Sequence, residues 1–288
     1  MAAGAGAGSS IANVMSIDVE DYFQVSAFEG VVPRDRWDSC ESRVVASTSR
    51  LLDLFAEYHV HGTFFVLGWV AERHPALIRR IADLGHELAS HSYWHRLVYD
   101  LTPDTFREDL ARARDVIQQA AGVAVRGFRA PSYSVVERSL WALDVLVEEG
   151  YAYDASIFPI RHDRYGIPKA PRHAYRVASG SRSLLEVPGS TALIGSVRVP
   201  IGGGYFRLLP YATTRWAIST INRTEQRPAV FYLHPWEIDP DQPRLQAGRV
   251  TSWRHYNGID EAEARLRRLL TDFRWDRLDR VMPTSEAA

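Results

Sequence analysis

His91 and His95 stand four residues apart in the stretch SHSYWHRLVYD, residues 90–100. On a helix or a tight helical turn that spacing projects two imidazoles from one face, so the pair can share a metal ion. What the pair lacks lies elsewhere in the chain. Residues 11–17 are apolar and strand-like, and they run directly into Asp18, Glu20 and Asp21, set among Val19, Tyr22 and Phe23. A plain surface turn does not need so apolar a setting. Residues two apart in a strand share a face, so Glu20 lies with Asp18 and is the better third ligand; a turn beginning at Glu20 would offer Asp21 instead. Two histidines and one carboxylate leave coordination positions open for water and substrate. A second carboxylate nearby can then act as general base, with Arg129 paired to it and His234 protonating the leaving group. The sum of these parts is metal-assisted hydrolysis. Singly, each has a plainer reading: Arg129 could cap a turn, Asp154 a helix, and His234 could be a core histidine.

The elements needed to gather these residues are legible in part. Residues 47–58 open on capping types and space Leu51, Leu52, Leu54, Phe55 and Tyr58 helically, and residues 61–69 are a buried strand by composition. A helix over 75–84 starts on proline and stops at Gly85, and a strand over 86–90 leads into the histidine pair. Thr102 and Pro103 open a helix that ends at Gly122; a strand over 125–130, a helix over 138–149 and a strand over 151–157 carrying Asp154 follow. Strand and helix thus alternate at least four times, which predicts parallel βα units in a barrel or a doubly wound sheet. In either, strand C-terminal ends share one face, and that face would collect Asp18, Glu20, His91, His95, Arg129, Tyr133, Asp154 and His234.

Residues 158–204 are rich in proline and end in Gly202-Gly203-Gly204, which reads as loops and short strands decorating the core. The glycine run is no phosphate loop, because no Lys-Ser/Thr follows it. Residues 210–220 read as a helix, 229–233 as a buried strand ending on His234, and 260–273 as a final helix with Asp260 as its N-cap.

Composition narrows the class. A chain of 288 residues, 46% hydrophobic and 24% charged, with a formal charge of −1, is an ordinary globular protein with no electrostatic reason to bind nucleic acid or an anionic membrane. Cys40 is the only cysteine, so neither an internal disulfide nor a thiolate metal site is available. Residues 1–10 read as a flexible N-terminus without the features of a secretory signal, and no apolar run is long enough to span a membrane; a cytoplasmic location is the expectation. Oligomeric state is not legible.

The segments SIDVEDYF, HSYWH, RAPSY, YDASIFP and FYLHPWEID, in that order, resemble the polysaccharide deacetylases of the NodB type, carbohydrate esterase family 4. The tail, HPWEIDPDQPRL followed by RHYNGIDEAEARLRRLL, is similar to the bacterial subgroup associated with exosortase and exopolysaccharide loci. The likeness covers about residues 12–275. It implies an α/β fold, a distorted (β/α)7-type barrel in one domain over 11–275. The C-terminal extension, about 234–275, would pack on it, with 276–288 as a tail. It implies removal of N-acetyl groups from an oligosaccharide or polysaccharide with a divalent metal, usually Zn2+. His91 and His95 would be metal ligands, Asp18 the base and Arg129 its partner. The Tyr133 backbone N–H would bind the oxyanion, His234 would be the acid, and Asp154 would support His234. The family motif has two adjacent aspartates where this chain has Asp18 and Val19, and valine cannot bind metal; the spaced form again points to Glu20.

Overall fold

The structure, a computed structural model, describes residues 11–284. The first strand, β1 (Ala12–Val19), is buried on both faces, which is why its sequence is a near-continuous apolar run. The polar residues before Asp18 are satisfied internally. Asn13 exchanges amide hydrogen bonds with Asn222 at 2.7 and 3.1 Å, and Ser16 Oγ donates to the Phe231 carbonyl at 2.8 Å. The strands that follow are β2 (Thr63–Val66), β3 (Glu87–Ser90), β4 (Gly127–Phe128), β5 (Tyr153–Asp154), β6 (Tyr175–Ser179), β7 (Arg182–Glu186), β8 (Thr191–Ile194), β9 (Val197–Pro200), β10 (Val230–Leu233) and β11 (Arg274–Asp276). The helices are α1 (Val44–Glu57), α2 (Gly68–Arg73), α3 (Pro75–Asp83), α4 (Pro103–Ala121), α5 (Trp141–Glu148), α6 (Gly203–Leu208), α7 (Tyr211–Arg223), α8 (Arg249–Tyr256), α9 (Ile259–Asp272) and α10 (Leu278–Val281). None is long and apolar enough to cross a membrane.

The main sheet runs β10-β1-β2-β3-β4-β5-β7-β6; all neighbours from β10 to β7 are parallel, and β6 returns antiparallel on β7. This is the α/β architecture the resemblance implies. The ends of the parallel run are bridged by the segment after β7. There the Val187 N–H donates to the Asp154 carbonyl on β5, while Ser190 Oγ accepts from the Val230 N–H of β10 at 2.7 Å.

Several boundaries differ from the sequence reading, each for a local reason. Helix α1 begins one turn early, because the Asp21 carboxylate reaches across to accept from the N–H groups of Arg43 (2.9 Å) and Val44 (3.1 Å). Ser47 and Thr48 therefore lie inside the helix, buried, instead of capping it. The strand expected over 61–69 stops at Val66, and Gly68 opens α2. A Cβ on Gly68 would sit 2.6 Å from the Tyr93 ring, so the glycine lets α2 close onto the histidine loop. Residues 158–204 are more than decoration: β7 is a full member of the parallel sheet. Asp260 is not an N-cap but sits in the first turn of α9 after Gly258 (φ 76°), where its charge still suits the helix dipole.

The chain end also differs from the expected tail. Strand β11 pairs with the start of β1, and Leu278 of α10 is buried, its N–H donating to Thr63 Oγ1 at 2.7 Å. The packed domain therefore runs beyond residue 275. The flexible reading of residues 1–10, and the last four residues of the tail, lie outside the described residues. Helix α9 buries Ile259, Leu266, Leu269 and Leu270 and packs on the 3-10 turn Pro235–Ile238 that follows β10. Each such side chain stabilises the fold by roughly 1.5–3 kcal/mol, so the turn behind His234 is firmly backed.

Candidate active site

Glu20, His91 and His95 converge: one ligand atom from each lies within 4.8 Å of the others, and all three residues are buried. Glu20 Oε2 is 2.6 Å from His95 Nε2 and 4.0 Å from His91 Nε2. No hydrogen bond satisfies that buried oxygen, an arrangement a shared cation would complete. His91 Nδ1 lies 2.8 Å from the Arg129 carbonyl, so Nδ1 carries the proton and Nε2 is left as the ligand atom. Burial and the neighbouring His95 charge push the His91 imidazole down to about 4, against Asp18 and Glu20. Burial would raise the Glu20 carboxyl, but the charges of His95, His234 and His91 hold it well below the usual range.

The two histidines do not share a helix face. They sit on a loop after β3 in which Ser92 (φ 65°) and His95 (φ 52°) take left-handed backbone. Asp109 of α4 pins the loop by accepting from the N–H groups of Tyr93 (2.7 Å) and Trp94 (3.2 Å), while Ser92 Oγ accepts from the His95 N–H (3.0 Å). A four-residue spacing thus brings the rings together by a different route from the helical one. Asp21 is excluded from the cluster by its own bonds, since it caps α1 and also accepts from Ser42 Oγ at 2.7 Å. Of the two acids, Glu20 is the one that lies with the histidines.

Asp18 ends β1 beside this cluster. Arg129 Nη1 donates to Asp18 Oδ1 at 2.6 Å and to Ser16 Oγ at 3.0 Å, and its Nε donates to the Ala155 carbonyl at 3.3 Å. The guanidinium lies 4.0 Å from the Phe65 ring centre. Burial works against its charge, but Asp18 with Tyr133 and Tyr232 together outweigh burial and raise its pKa.

His234 follows β10, with Nε2 3.9 Å from Asp18 Oδ2 and 3.7 Å from Glu20 Oε1. Its Nδ1 meets Glu237 Oε2 at 3.0 Å, and the same oxygen accepts the His234 backbone N–H at 3.0 Å. Glu237 Oε1 in turn accepts from Arg207 Nε at 2.7 Å. Burial opposes the His234 charge, yet Glu20, Glu237 and Asp18 lift the imidazole to about 9; Arg207 and His234 hold Glu237 down to about 2 despite its burial. The result is an imidazolium that donates from Nδ1 to Glu237 and presents a second proton on Nε2. The ring stacks on Trp236 (centroids 5.0 Å apart, 18° between planes), and Trp236 stacks on His255 (4.2 Å, 16°).

Two expectations do not hold. Asp154 is not the support of His234: it accepts from Ser156 Oγ, and burial beside Glu186 raises both carboxyls. It sits on β5, across the sheet from β10, and Glu237 takes the expected role three residues along from His234 itself. The Tyr133 N–H is not free for an oxyanion, because it closes a 3-10 turn on the Ala130 carbonyl at 3.1 Å; a substrate oxygen could only share it. Ser132 and Tyr133 both hold φ 52° there. Glu237 was detectable as His-x-x-Glu, the spacing at which a side chain returns to its own turn. Arg207 had no such signal, being thirty residues from its partner.

A cavity of about 240 Å³ opens onto this constellation, lined by Asp18, Glu20, His95, Tyr133 and His234 at its base. Residues 36–151 match the polysaccharide deacetylase family model. The chain carries a polysaccharide deacetylase domain. Residues 155–283 match a second family, described as a domain of unknown function. Together with β1 they complete the site around the deacetylase segment: His91, His95, Arg129 and Tyr133 fall within 36–151, Asp18 and Glu20 precede it, and Arg207, His234 and Glu237 follow. The deacetylase domain is similar to the peptidoglycan-N-acetylglucosamine deacetylase of Bacillus cereus, 32% identical over 34% of this chain and 36% of that protein. It is also similar to the chitooligosaccharide deacetylase of Sinorhizobium fredii, 35% identical over 38% of this chain and 49% of that one. The matches thus span between a third and half of these relatives' lengths. A Mycobacterium smegmatis crystal structure assigned to the polysaccharide deacetylases shares the fold, with a TM-score of 0.61 at 24% identity over 97% of this chain and 91% of that one.

Proposed function

We propose that this protein is a metal-dependent hydrolase that removes N-acetyl groups from amino sugars of a bacterial polysaccharide or its precursor. The observation that carries the reading is the meeting, on one cavity, of a Glu-His-His donor set, a carboxylate paired with a buried arginine, and a charged histidine. A divalent cation held by Glu20, His91 and His95, zinc by family likeness, would make a water acidic enough to attack and would polarise the acetyl carbonyl. Asp18, fixed by Arg129 and Ser16, accepts the proton of that water. His234 presents its Nε2 proton to the departing nitrogen, and Glu237 keeps the ring in the orientation and tautomer that do so. No serine or cysteine nucleophile is needed. The tail that resembles the exosortase and exopolysaccharide subgroup supports an exported polysaccharide as the destination of the product.

The test is acetate release from N-acetylated oligosaccharides, measured on protein stripped with a chelator and reloaded with zinc. Release that depends on the reloaded metal supports the proposal. Zinc and sugar binding without release would favour a non-catalytic sugar-binding barrel, and release only from other amides or esters would move the same site to a different substrate.

A further inference from the structure

Three arginines line the cavity, and their surroundings differ sharply. Arg207 is committed: it pairs with Glu237, and its Nη1 donates to the carbonyls of His255 (2.8 Å) and Asn257 (2.6 Å). Arg164 and Arg254 are exposed at the mouth, and neither guanidinium has a carboxylate within 4 Å among the described residues. Arginines elsewhere pair with acids, as Arg73 does with Asp38 and Arg267 with Glu57, and the whole protein carries a formal charge of only −1. Two arginines without an acid partner at the mouth of one cavity are therefore not a consequence of a basic composition. The acid nearest in sequence, Asp163, lies against His162, with Nδ1 and Oδ1 2.9 Å apart, and pairs with neither arginine. Burial lowers the His162 pKa against the Asp163 charge, and both the Arg254 and Arg164 charges add to the lowering.

Both arginines are mounted on the catalytic residues. The loop carrying Arg164 is held by a stack in which His162 lies on Tyr165 (3.9 Å, 18°), Tyr165 on Phe158 (6.0 Å, 8°) and Phe158 against Tyr133 (4.9 Å). Arg254 sits on α8 next to His255, which stacks on Trp236 and through it on His234. Arg207 Nη2 also fastens the Arg254 carbonyl at 3.3 Å. Guanidinium groups on rigid mounts are set to receive a carboxylate or phosphate. The acids deeper in the cavity, Asp18 and Glu20, are compensated by Arg129 and the histidines. At about 240 Å³ the cavity is smaller than the roughly 300–1,000 Å³ of most ligand pockets, so an extended chain would place its next sugar over the rim.

We infer that the sugar chain taken by this site is anionic, with a carboxylate or phosphate on the residue adjoining the acetamido sugar received between Arg164 and Arg254. The inference rests on the deacetylase reading for the position of the reacting sugar. The test uses two matched pairs: a tetrasaccharide alternating N-acetylglucosamine and glucuronate against its carboxyl-reduced form, and N-acetylchitotetraose 1-phosphate against N-acetylchitotetraose. The zinc-loaded enzyme should favour the charged member of at least one pair by about tenfold or more in kcat/KM, chiefly through KM, and the pair concerned tells carboxylate from phosphate. Arg164→Gln and Arg254→Gln should each shrink that ratio. The double variant should bring it close to one, as should raising the salt. Both side chains are exposed, so these variants do not threaten folding. A wild-type ratio of one in both pairs, or a ratio that survives the double variant, overturns the inference. Calorimetric affinities for the same four sugars read the charge preference without turnover. If no sugar releases acetate but the charged ones still bind tighter through these arginines, the deacetylase reading fails and the anionic one stands; if no charged sugar binds preferentially, the anionic one fails.

Discussion

Replacing Glu87 by glutamine should make this protein more stable at neutral and alkaline pH and leave it little changed in acid. Glu87 opens β3 at the end of the sheet away from the cavity, buried between Thr63 Oγ1 (2.6 Å to Oε2), the Tyr153 hydroxyl (2.9 Å to Oε1) and the Asp279 N–H (3.2 Å to Oε2). Burial and the nearby Asp279 charge push its carboxyl up to about 7, outweighing the hydrogen bonds from Thr63 and Tyr153. A folded-state pKa raised above the unfolded 4.5 means the folded chain holds a proton that the unfolded chain has released. The associated stability is complete below about pH 4.5 and is lost as pH rises through 7. Two and a half units at about 1.4 kcal/mol each give roughly 3 kcal/mol. Glutamine keeps an oxygen for Thr63 and Asp279 and offers an amide N–H to the Tyr153 oxygen, so it mimics the protonated acid at every pH. Urea unfolding of both proteins at pH 5 and pH 8, each without metal, isolates the effect, because every other titration is shared. With a urea slope of about 3 kcal/mol per M, the variant's midpoint should gain on the wild type by about 1 M between the two pH values. A midpoint difference that does not change with pH would refute the reasoning.

Four further outcomes follow from the site. Glu20→Gln should abolish stoichiometric zinc binding in equilibrium dialysis, whereas Asp21→Asn should keep the zinc and cost about 1 kcal/mol of stability through the weakened cap of α1. Asp18→Asn should retain zinc and lose turnover by about a hundredfold or more, and near-normal rates would remove it as the base. Glu237→Gln should lower the rate and move the alkaline limb of the pH–rate profile to lower pH, since the proton on His234 loses a negative partner; Asp154→Asn should leave that limb in place. Truncation after Asp239 removes α9 with its five buried apolar side chains, β11 and α10, and the product should show no cooperative unfolding by calorimetry; an unchanged melting midpoint would make the extension a separate domain.

What the sequence revealed followed from how each residue is held. Strands buried on both faces, such as β1 and β10, announce themselves as apolar runs, and α3 and α4 are marked by proline at the start and glycine at the end. Strand β7 escaped notice because its inward residues include Glu186, a buried acid that interrupts the apolar signal and is tolerable only beside Asp154. The short ladders of β4 and β5 were placed correctly but drawn too long, since their flanks are loops carrying Arg129 and Ser156 toward the cavity. In the site, continuing the alternation of β1 by one residue points Glu20 to the side of Asp18, and Glu20 does lie with His91 and His95 although the strand itself ends at Val19. The support of His234 was not, because two acids were available at plausible strand ends and only the packed turn after β10 decides between them. The cap on α1 was hidden for a similar reason: Asp21 lies more than twenty residues before the N–H groups it satisfies.

The chain order of the site has a consequence for how the protein is made. The donor set and the arginine that fixes the base are all in place by residue 129, whereas the acid and its carboxylate arrive at 234 and 237, on a strand that pairs beside the very first one. At roughly 5–20 residues per second, synthesis from Arg129 to His234 occupies about 5–20 s. During that interval an emerging chain holds every ligand and the base but no proton donor, and β1 lacks its β10 neighbour. Those donors are buried once the sheet is complete. The set is therefore complete in sequence well before the strand that closes the sheet beside it has been made.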